Sequence, residues 1–282
     1  MIVSVVIVTW NSHEFVHNCL DSVLAASSSC NIRVIVVDNA SSDDTPRIVN
    51  ESYPQVTLIE NKQNLGYAKA NNQGIEKARG EYILLLNPDT QLLENSLVLM
   101  SEFMEENPQT GALGPKLFNP DRTTQPSCRE FPTFSTLLWE FSGLSRLFPK
   151  SRVFGRWRMG YFAFDQTREV DQPMGSCLMV RAEALKEVGT FDEEFPMFFN
   201  DVDLCYRIKQ GGWKIYFLPD AQVIHCRGAS TRKAKRRMIW LSHLAFYRFF
   251  NKHTTGFADK ILLYLFCVPL FLFALPRILL KK

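Results

Sequence analysis

The sequence lacks the patterns that mark disulfide-rich, secreted and dinucleotide-binding proteins. Its seven cysteines include no C-x-x-C pair and are odd in number, which is typical of a reduced, cytosol-facing chain. The first apolar stretch leads into Thr-Trp-Asn-Ser (residues 9–12) and not into Gly-x-Gly-x-x-Gly, so a Rossmann cofactor site is not expected. A secretory signal peptide is not expected either, because no basic segment precedes residues 2–8.

The net charge is also small, but it is unevenly distributed. Residues 231–282 hold 11 Lys and Arg residues against a single acid, Asp259, whereas residues 1–230 hold 21 basic and 28 acidic residues. A chain of 282 residues with 46% hydrophobic content can bury one large core. The sequence therefore predicts an acidic globular domain over residues 1–230 and a basic, apolar tail over residues 231–282.

The tail carries a basic run, residues 232–237, and an uncharged stretch, residues 261–275, that contains Pro269. These 15 residues are fewer than the roughly 20 that a helix needs to span a bilayer. We therefore expect a helical tail that anchors the protein at an anionic membrane surface, either in the interface or re-entering it. A buried helix or a contact between copies of the chain is the alternative. Nucleic acid is not an expected partner, because no nucleic-acid-binding motif accompanies the basic run.

Apolar stretches alternate with helical patterns along the first part of the chain, so residues 1–110 are predicted to form a doubly wound α/β half. Residues 111–230 are predicted to continue as a second half. The predicted strands are residues 2–9, 32–37, 56–60, 82–86, 111–118, 173–180 and 214–218. Between the halves, residues 119–171 are irregular and rich in aromatic and basic side chains. We interpret them as an inserted, partly mobile segment over the cleft or on the membrane side, with an ordinary packing element as the alternative.

Two carboxylates follow predicted strands directly. Residues 82–86 are apolar without alternation and break at Asn87-Pro88, which places Asp89 just past the carboxyl end of a buried strand, where open α/β sheets bind ligands. A carboxylate there suits a hard divalent cation that carries phosphate oxygens. The alternative is a turn followed by a helix N-cap. Asp38 ends the second strand in the same way, and it could equally cap or close its own turn.

Gly66 and Asp201 stand at the predicted starts of helices. Gly66 lets the backbone approach an anion at a helix N-terminus, or it is a simple cap. Asp201 follows Phe198-Phe199, so partial desolvation should raise its pKa towards that of a useful base. Asp203, two residues on, would point elsewhere and serve the helix dipole.

His225 ends the stretch 221–225 and precedes the basic run. A single histidine is usually structural, but the carboxylates predicted near His225 support a functional role for it.

An ordered set of short stretches resembles family 2 inverting glycosyltransferases of the GT-A fold, of the bacterial rhamnosyltransferase-like kind. The resemblance covers about residues 2–230. The stretches are Val-Ser-Val-Val-Ile-Val-Thr-Trp-Asn-Ser (3–12), Val-Val-Asp-Asn-Ala-Ser-Ser-Asp (36–43), Asn-Leu-Gly-Tyr-Ala-Lys-Ala-Asn-Asn (64–72), Leu-Leu-Asn-Pro-Asp (85–89), Gly-Ser-Cys-Leu-Met-Val-Arg (175–181), Asp-Val-Asp-Leu-Cys-Tyr-Arg (201–207) and His-Cys-Arg-Gly-Ala-Ser (225–230). It implies a GT-A type doubly wound mixed sheet, followed by the helical, membrane-associating tail.

The resemblance also implies roles for individual residues. Asp201 matches the catalytic base. Asp89 matches the last acid of a metal-binding Asp-x-Asp, and His225 matches a second protein ligand to Mg²⁺ or Mn²⁺. The residues implied to bind the nucleotide-sugar are Thr9, Asn11, Asp38, Asn64, Gly66, Asn71 and Asn87, the last of which replaces the first acid of the Asp-x-Asp.

Two departures from the family pattern affect the implied mechanism. Asn200 stands where a Glu usually precedes the base, which removes a neighbouring negative charge and affects the pKa of the base more than its identity. The Gln-x-x-Arg-Trp signature of processive synthases is missing, so one sugar is transferred per encounter.

The resemblance thus implies a metal-dependent inverting glycosyltransferase. It would move one sugar, from dTDP-rhamnose or a UDP-sugar, to a lipid-linked, polyprenyl-type glycan acceptor in bacterial surface polysaccharide synthesis. The enzyme would lie at the cytoplasmic face of the inner membrane, and a homo-oligomer is left open. The alternatives are a nucleotidyltransferase, although no Gly-rich, basic triphosphate loop follows the first strand, and a non-catalytic sugar-nucleotide-binding peripheral membrane protein.

Overall fold

A mixed ten-stranded sheet forms the centre of the molecule. The structure, a computed structural model, describes residues 2–26, 31–226, 235–257 and 259–266, without the side chains of residues 235–239. The strands are β1 Ile2–Thr9, β2 Asn31–Asp38, β3 Thr57–Glu60, β4 Tyr82–Leu86, β5 Thr90–Leu92, β6 Thr110–Phe118, β7 Thr124–Gln125, β8 Cys128–Arg129, β9 Arg168–Glu169, β10 Gln172–Pro173, β11 Cys177–Arg181 and β12 Lys214–His225. The helices are α1 Val16–Ala25, α2 Thr45–Ser52, α3 Tyr67–Lys77, α4 Ser96–Glu106, α5 Phe134–Ser142, α6 Leu144–Leu147, α7 Ala182–Val188, α8 Asn200–Gln210 and α9 Lys235–His253.

The strand order of the main sheet is β3-β2-β1-β4-β11-β6-β12-β5, with β7 and β9 attached to β6 and β12. Strands β3, β2, β1 and β4 are parallel, as the alternation of strands and helices predicts. Strand β11 then runs antiparallel to β4 and β6, and β12 is parallel to β6. The sheet is therefore mixed, and it is continuous across both predicted halves of the chain.

Two hydrophobic clusters cover the faces of the sheet, because its central strands are apolar on both sides. On one face, Val5 and Leu84 pack with the stripe of α1 that contains Leu20. On the other face, Val6 and Leu85 pack with α3 and α8. This two-sided burial is what a parallel sheet in a doubly wound fold requires, and it confirms the α/β prediction.

The core strand predicted over residues 173–180 is present as β11, Cys177–Arg181, and the prediction is wrong only at the start of the strand. Strand β10 ends at Pro173 and pairs with β8, and a turn at Gly175-Ser176 separates it from β11. The N–H of Gly175 donates to the Asp201 carboxylate and is therefore not available to a β-ladder. The interruption between β10 and β11 thus results from a hydrogen bond to the candidate base.

The inserted segment, residues 119–171, is largely a packing element. Phe162 and Phe164 belong to the cluster that contains Phe217. Leu137 belongs to a third cluster, together with Phe199 and other residues beside α8. The alternative of an ordinary packing element therefore describes most of this segment.

Helix α9 packs against the body of the molecule through Ala245, Phe249 and Phe250, which are buried in the third cluster with Phe195 and Phe199. This part of the tail matches the alternative of a buried helix. Within the described ranges, none of the helices combines the length and apolar character needed to cross a bilayer. Residues 227–234 and 267–282 lie outside the described residues. Half of the predicted basic run, residues 232–234, and most of the stretch 261–275 are therefore not described.

Candidate functional site

Thr9 and Asp38 form the edge of the sheet where the nucleoside was predicted to bind. They are register partners at the carboxyl ends of β1 and β2, and the Thr9 hydroxyl donates to Asp38 Oδ1 at 2.9 Å. Asp38 also accepts from the N–H and the hydroxyl of Ser41, at 2.9 and 2.5 Å. Asp38 therefore closes its own turn, as the alternative stated, and stands at the predicted edge of the sheet.

Asn11 joins this edge from the β1–α1 turn. Its backbone is left-handed, with φ of 50°, which Asn tolerates better than most residues. Its N–H donates to Ser41 Oγ at 2.9 Å, and its side-chain oxygen accepts from the N–H of Ser42 at 2.8 Å. The first two strand-end loops are thus tied together at the predicted nucleoside site.

Asn39, which sequence reasoning missed, connects that site to the loop before α3. Its amide nitrogen donates to Asn64 Oδ1 at 3.0 Å, and its side-chain oxygen accepts from the N–H of Leu65 at 2.9 Å. Asn39 is 3% exposed. It follows Asp38 at a strand end, so the argument that selected Asp38 could also have selected Asn39.

Gly66 begins α3 in a conformation that L side chains rarely adopt, with φ of 86°. A Cβ at this position would lie 3.2 Å from the carbonyl oxygen of Pro196. The close approach that requires glycine here is thus to the loop before α8. Asn71 is buried and donates to the carbonyl of Tyr67 at 2.9 Å, so its amide is engaged within α3.

The turn after β4 carries Asn87 and Asp89 and leads into β5, so the alternative of a helix N-cap at this position is wrong. The N–H of Asn87 donates to the carbonyl of Ser176 at 2.9 Å. Its side-chain oxygen Oδ1 is buried and finds no hydrogen-bond partner in the described part of the chain, and the same is true of Ser176 Oγ. Two buried oxygens with free lone pairs thus lie on neighbouring strand ends.

His225 faces Asp89 across β12 and β5. The Nε2 of His225 lies 3.5 Å from Asp89 Oδ1, and both side chains are largely buried. The other ring nitrogen, Nδ1, lies 2.7 Å from Gln125 Oε1. Because the Gln125 amide donates to Asn119 Oδ1 and to the carbonyl of His225, Oε1 accepts and Nδ1 of His225 donates. Nε2 is the ring nitrogen that faces Asp89.

These residues fit a hard divalent cation. Asp89 contributes a carboxylate oxygen, His225 an imidazole nitrogen and Asn87 an orphaned amide oxygen. The hydrogen bond that His225 Nδ1 donates to Gln125 Oε1 orients the imidazole. No group of three or more His, Cys, Asp or Glu side chains is placed to hold a metal in the described ranges. A cation here would therefore depend on oxygens of a bound phosphate to complete its coordination.

Asp201 lies in the first turn of α8, and its carboxylate is enclosed. Oδ2 accepts from Gln172 Nε2 at 2.8 Å and from the N–H of Gly175 at 2.9 Å. Burial raises the pKa of the Asp201 carboxyl above its ordinary range, although the N–H groups of Gly175 and Val202 act in the opposite direction. The predicted desolvation is therefore present. It raises the pKa without an acidic neighbour, since residue 200 is Asn.

The turn at Gly175-Ser176 links the candidate base to the candidate cation ligands. Gly175 touches Asp201, and a Cβ at Gly175 would lie 2.9 Å from Asp201 Cβ. The next residue, Ser176, accepts from the N–H of Asn87. The hydroxyl of Tyr67 donates to the carbonyl of Gly175 at 3.1 Å, and burial followed by the charge of Asp201 raises the pKa of Tyr67. A neutral phenol thus fixes the turn from the α3 side.

Asp203 has a different task, as its spacing from Asp201 predicts. It is fully buried and binds Arg207 Nε at 2.8 Å, Lys252 Nζ at 2.8 Å and His253 Nε2 at 2.7 Å. Burial alone would raise the pKa of Asp203, but hydrogen bonds from His253 and Lys252 outweigh it and lower the pKa to about 2. Asp203 therefore anchors α9 to α8, and this ion-pair role goes beyond the helix-dipole role that was expected.

Gln125, Gln172 and Gly175 were missed by sequence reasoning. They lie 100, 29 and 26 residues from the side chains that they hold. Spacing rules within one helix or strand cannot find such pairs. The tertiary fold alone brings them together.

The comparison with known families decides the class of the protein. A family model described as "Glycosyl transferase family 2" matches residues 4–189. The chain belongs to this family. It is therefore a glycosyltransferase. Asp38 and Asp89 fall within the matched region, whereas Asp201 and His225 follow it.

Relatives of this family 2 glycosyltransferase include two bacterial proteins. The N-acetylglucosaminyl-diphospho-decaprenol L-rhamnosyltransferase of Mycobacterium tuberculosis is 28% identical over 270 residues, which cover 90% of this chain and 86% of the relative. The O-antigen biosynthesis protein RfbC of Myxococcus xanthus is 25% identical over 248 residues, which cover 86% of this chain and 19% of RfbC. The rhamnosyltransferase-like resemblance is confirmed.

Solved structures of similar fold are glycosyltransferases as well. Residues 1–349 of Staphylococcus aureus TarS match with a TM-score of 0.58 and 18% identity, over 92% of this chain and 68% of that one. The mannosyltransferase PcManGT of Pyrobaculum calidifontis, in complex with GDP-Man and Mn²⁺, matches with a TM-score of 0.59 and 18% identity, over 99% and 75%. At this identity the likeness concerns the fold alone, and it confirms the GT-A type sheet.

Proposed function

We propose that this family 2 glycosyltransferase transfers one sugar from a nucleotide-sugar to a polyprenyl-linked glycan acceptor, with inversion at the anomeric carbon. The observation that carries the proposal is the carboxylate of Asp201, which accepts hydrogen bonds from Gln172 and Gly175. The residue after Gly175, Ser176, accepts from the N–H of Asn87. The name of the mycobacterial relative supports dTDP-rhamnose as the first donor to test and a polyprenyl-diphosphate glycan as the acceptor class. A UDP-sugar is the second donor to test.

Asp201 acts as the general base. It takes the proton of an acceptor hydroxyl while that oxygen forms a bond to the anomeric carbon of the donor. The bond between the anomeric carbon and the phosphate oxygen breaks on the opposite face, and the nucleoside diphosphate leaves with the electron pair. One displacement inverts the configuration, and general-base assistance of this kind contributes about 10² to 10⁴ in rate.

The donor binds on the side of the Gly175-Ser176 turn that lies opposite Asp201. Thr9, Asn11 and Asp38 bind the nucleoside, and Asn64, Gly66 and Asn71 line the diphosphate. Asp89, His225 and Asn87 would hold Mg²⁺ or Mn²⁺. When bound, the cation neutralises the charge that develops on the leaving diphosphate.

The proposal extends to location. The enzyme works in bacterial surface polysaccharide synthesis at the cytoplasmic face of the inner membrane, where its polyprenyl-linked acceptor is embedded. The basic and apolar residues after position 230 associate with anionic lipid as a peripheral or re-entrant element. Self-association of the chain is compatible with this arrangement.

Release of nucleoside diphosphate from UDP-, dTDP- and GDP-sugars tests the proposal, with membranes that supply lipid-linked acceptor and with Mn²⁺ or EDTA. We expect turnover of one donor, and we expect it to vanish with EDTA. Turnover that persists in EDTA would remove the cation from the proposal. If no donor binds by calorimetry, the non-catalytic alternative replaces it.

A further inference from the structure

Exposed apolar side chains are concentrated in two segments of the chain. Of the eleven large apolar side chains that are exposed in the described ranges, nine lie between positions 138 and 153 or between positions 240 and 265. In the first segment, Leu138 is 46% exposed, Leu147 69%, Phe148 48% and Val153 57%. Scattered apolar residues are normal at a protein surface, but a grouped set marks an interaction site.

The two segments contact each other, so these side chains belong to one region. The ring of Phe134, at the start of α5, stacks on Phe250 of α9 at 4.7 Å and lies 5.6 Å from Phe266, both between ring centroids. Behind α5, the segment after α6 folds back, and Phe154 packs against Trp139 and Phe148 at 5.0 and 5.6 Å. The exposed residues of α5 and α6 thus stand on a packed base.

The same segment is basic. Between Glu140 and Asp165 the chain has five Arg and Lys residues and no acid. Arg156 and Arg158 are neutralised by Glu130 and Glu140. The other three, Arg146, Lys150 and Arg152, are exposed and form no ion pair with any acid of the described residues.

This region lies close to the candidate base. Leu137, the neighbour of Leu138, packs in the cluster that contains Phe199 and Val202, the residues on either side of Asn200-Asp201. Arg129, at the start of the same inserted segment, acts on Asp201 through its charge. The helix that carries Leu138 therefore packs, through Leu137, on the cluster that flanks Asp201.

We propose that Leu138, Leu147, Phe148 and Val153, together with Arg146, Lys150 and Arg152, form a surface that docks onto an anionic lipid bilayer. Apolar side chains enter the headgroup boundary while the cations meet lipid phosphates, which is the composition of an interfacial binding element. This α5–α6 surface adds a second contact to the tail and holds the acceptor side of the cleft against the bilayer. The inference extends the membrane part of the proposed function.

Co-sedimentation of the full chain with phosphatidylcholine vesicles that contain phosphatidylglycerol tests this docking. The charge variant is R146E/K150E/R152E, and the apolar variant is L147S/F148S/V153S. The matched control is R33E/K77E/K186E, which reverses three exposed cations at other places on the surface. Each cation near an anionic surface contributes about fivefold in partitioning, so the loss of three cations alone should weaken binding about 100-fold. The three new acids should weaken it further.

The salt dependence separates the two contributions. The defect of the charge variant should shrink as salt rises, because surface electrostatics is screened, whereas the defect of the apolar variant should persist. In both variants, nucleoside diphosphate should raise the Tm as it does in wild type, which shows that the donor site is still folded. Since no turnover is measured, a failure here leaves the proposed sugar transfer untouched.

Two results would overturn the docking surface. The first is equal vesicle binding by the charge variant and the control, because the tail alone would then account for membrane binding. The second is unchanged vesicle binding together with a lower molar mass of the apolar variant by light scattering, because the surface would then be a contact between copies of the chain.

Discussion

Asp201 is the residue whose replacement separates chemistry from binding. In Asp201→Asn the side-chain oxygen can still accept from the N–H of Gly175, but the base is lost. We expect turnover to fall by about 10² to 10⁴ with donor affinity unchanged, measured by nucleoside diphosphate release and by calorimetry. Asp220→Asn, at an exposed position of β12, is the control and should keep full activity. Full turnover in Asp201→Asn would refute the assignment.

The pH dependence of Asp201 follows from its burial. Its raised pKa means that kcat/KM should fall with decreasing pH at a value above ~3.9, the ordinary pKa of Asp. The same shift means that the folded state binds the proton more tightly than the unfolded state, so ionised Asp201 destabilises the fold above that pKa. Asp201→Asn should therefore raise the Tm at pH 7. The gain should disappear towards pH 3, and a gain that does not depend on pH would contradict this origin.

Because Asp89 and His225 are the candidate cation ligands, we expect the metal to affect the binding of the diphosphate and not the binding of the nucleoside. Mn²⁺ should tighten binding of a nucleoside diphosphate, and EDTA, Asp89→Asn or His225→Ala should abolish that gain. Binding of the nucleoside without phosphates should be unaffected, because Thr9 and Asp38 lie at another strand end. Calorimetry with the two ligands provides the comparison. An equal effect of EDTA on both ligands would place the cation elsewhere.

At the scale of elements, α8 and α9 act together. Helix α8 begins after Phe199, a bulky residue in the left-handed region with φ of 67°, a conformation that needs support from its surroundings. Phe246 and Phe249 of α9 pack on the Phe199 ring, with centroids at 4.5 and 5.6 Å. Because Asp201 lies two residues further on, the packing of α9 fixes the first turn that carries the base.

Asp203 should make this attachment sensitive to acid. Asp203→Asn removes the carboxylate between Lys252 and His253, and breaking a buried ion network costs about 3–5 kcal/mol. The lowered pKa of Asp203, about 2, stabilises the folded state above the ordinary pKa of Asp, ~3.9, and this stabilisation is lost as the pH falls towards 2. Urea unfolding of wild type and variant should differ at pH 7 and converge between pH 4 and pH 2.

The matched control is Asp192→Asn. Asp192 pairs with the same Lys252 at 2.6 Å but is partly exposed, so its loss should cost less than 1 kcal/mol, as at other solvated pairs. Equal losses in the two variants would contradict a special role for Asp203.

At the scale of the whole molecule, the continuous sheet predicts one unfolding transition. The predicted halves, residues 1–110 and 111–230, meet at the pairing of β4 with β11, and separating them would expose both core clusters. Four of the five Trp residues follow residue 110, so fluorescence reports mainly on the second half and far-UV circular dichroism on the whole chain. We expect coincident urea transitions. Two separated transitions would show that the halves unfold independently.

Local patterns were enough to predict much of the fold and part of the site. The apolar runs that became β1 and β4 predicted strands buried on both faces, and the ends of β2 and β4 placed Asp38 and Asp89 at the carboxyl edge of the sheet. The same reasoning placed the start of the strand predicted over residues 173–180 too early, because the N–H of Gly175 binds Asp201 and the strand begins only at Cys177. A contact between residues 26 positions apart leaves no trace in local periodicity.

The sequence by itself determined the α/β class and the central strands, because these depend on spacing within one strand or one helix. The resemblance of its short motifs indicated the family and implied the candidate base and cation ligands. Tertiary structure decided which groups act on them. Gln125 orients His225, Gln172 and Gly175 enclose Asp201, and Asp203 binds α9. Such contacts arise when the folded sheet brings distant strand ends to one edge. Desolvation, and with it the raised pKa of Asp201, exists only in that packed arrangement.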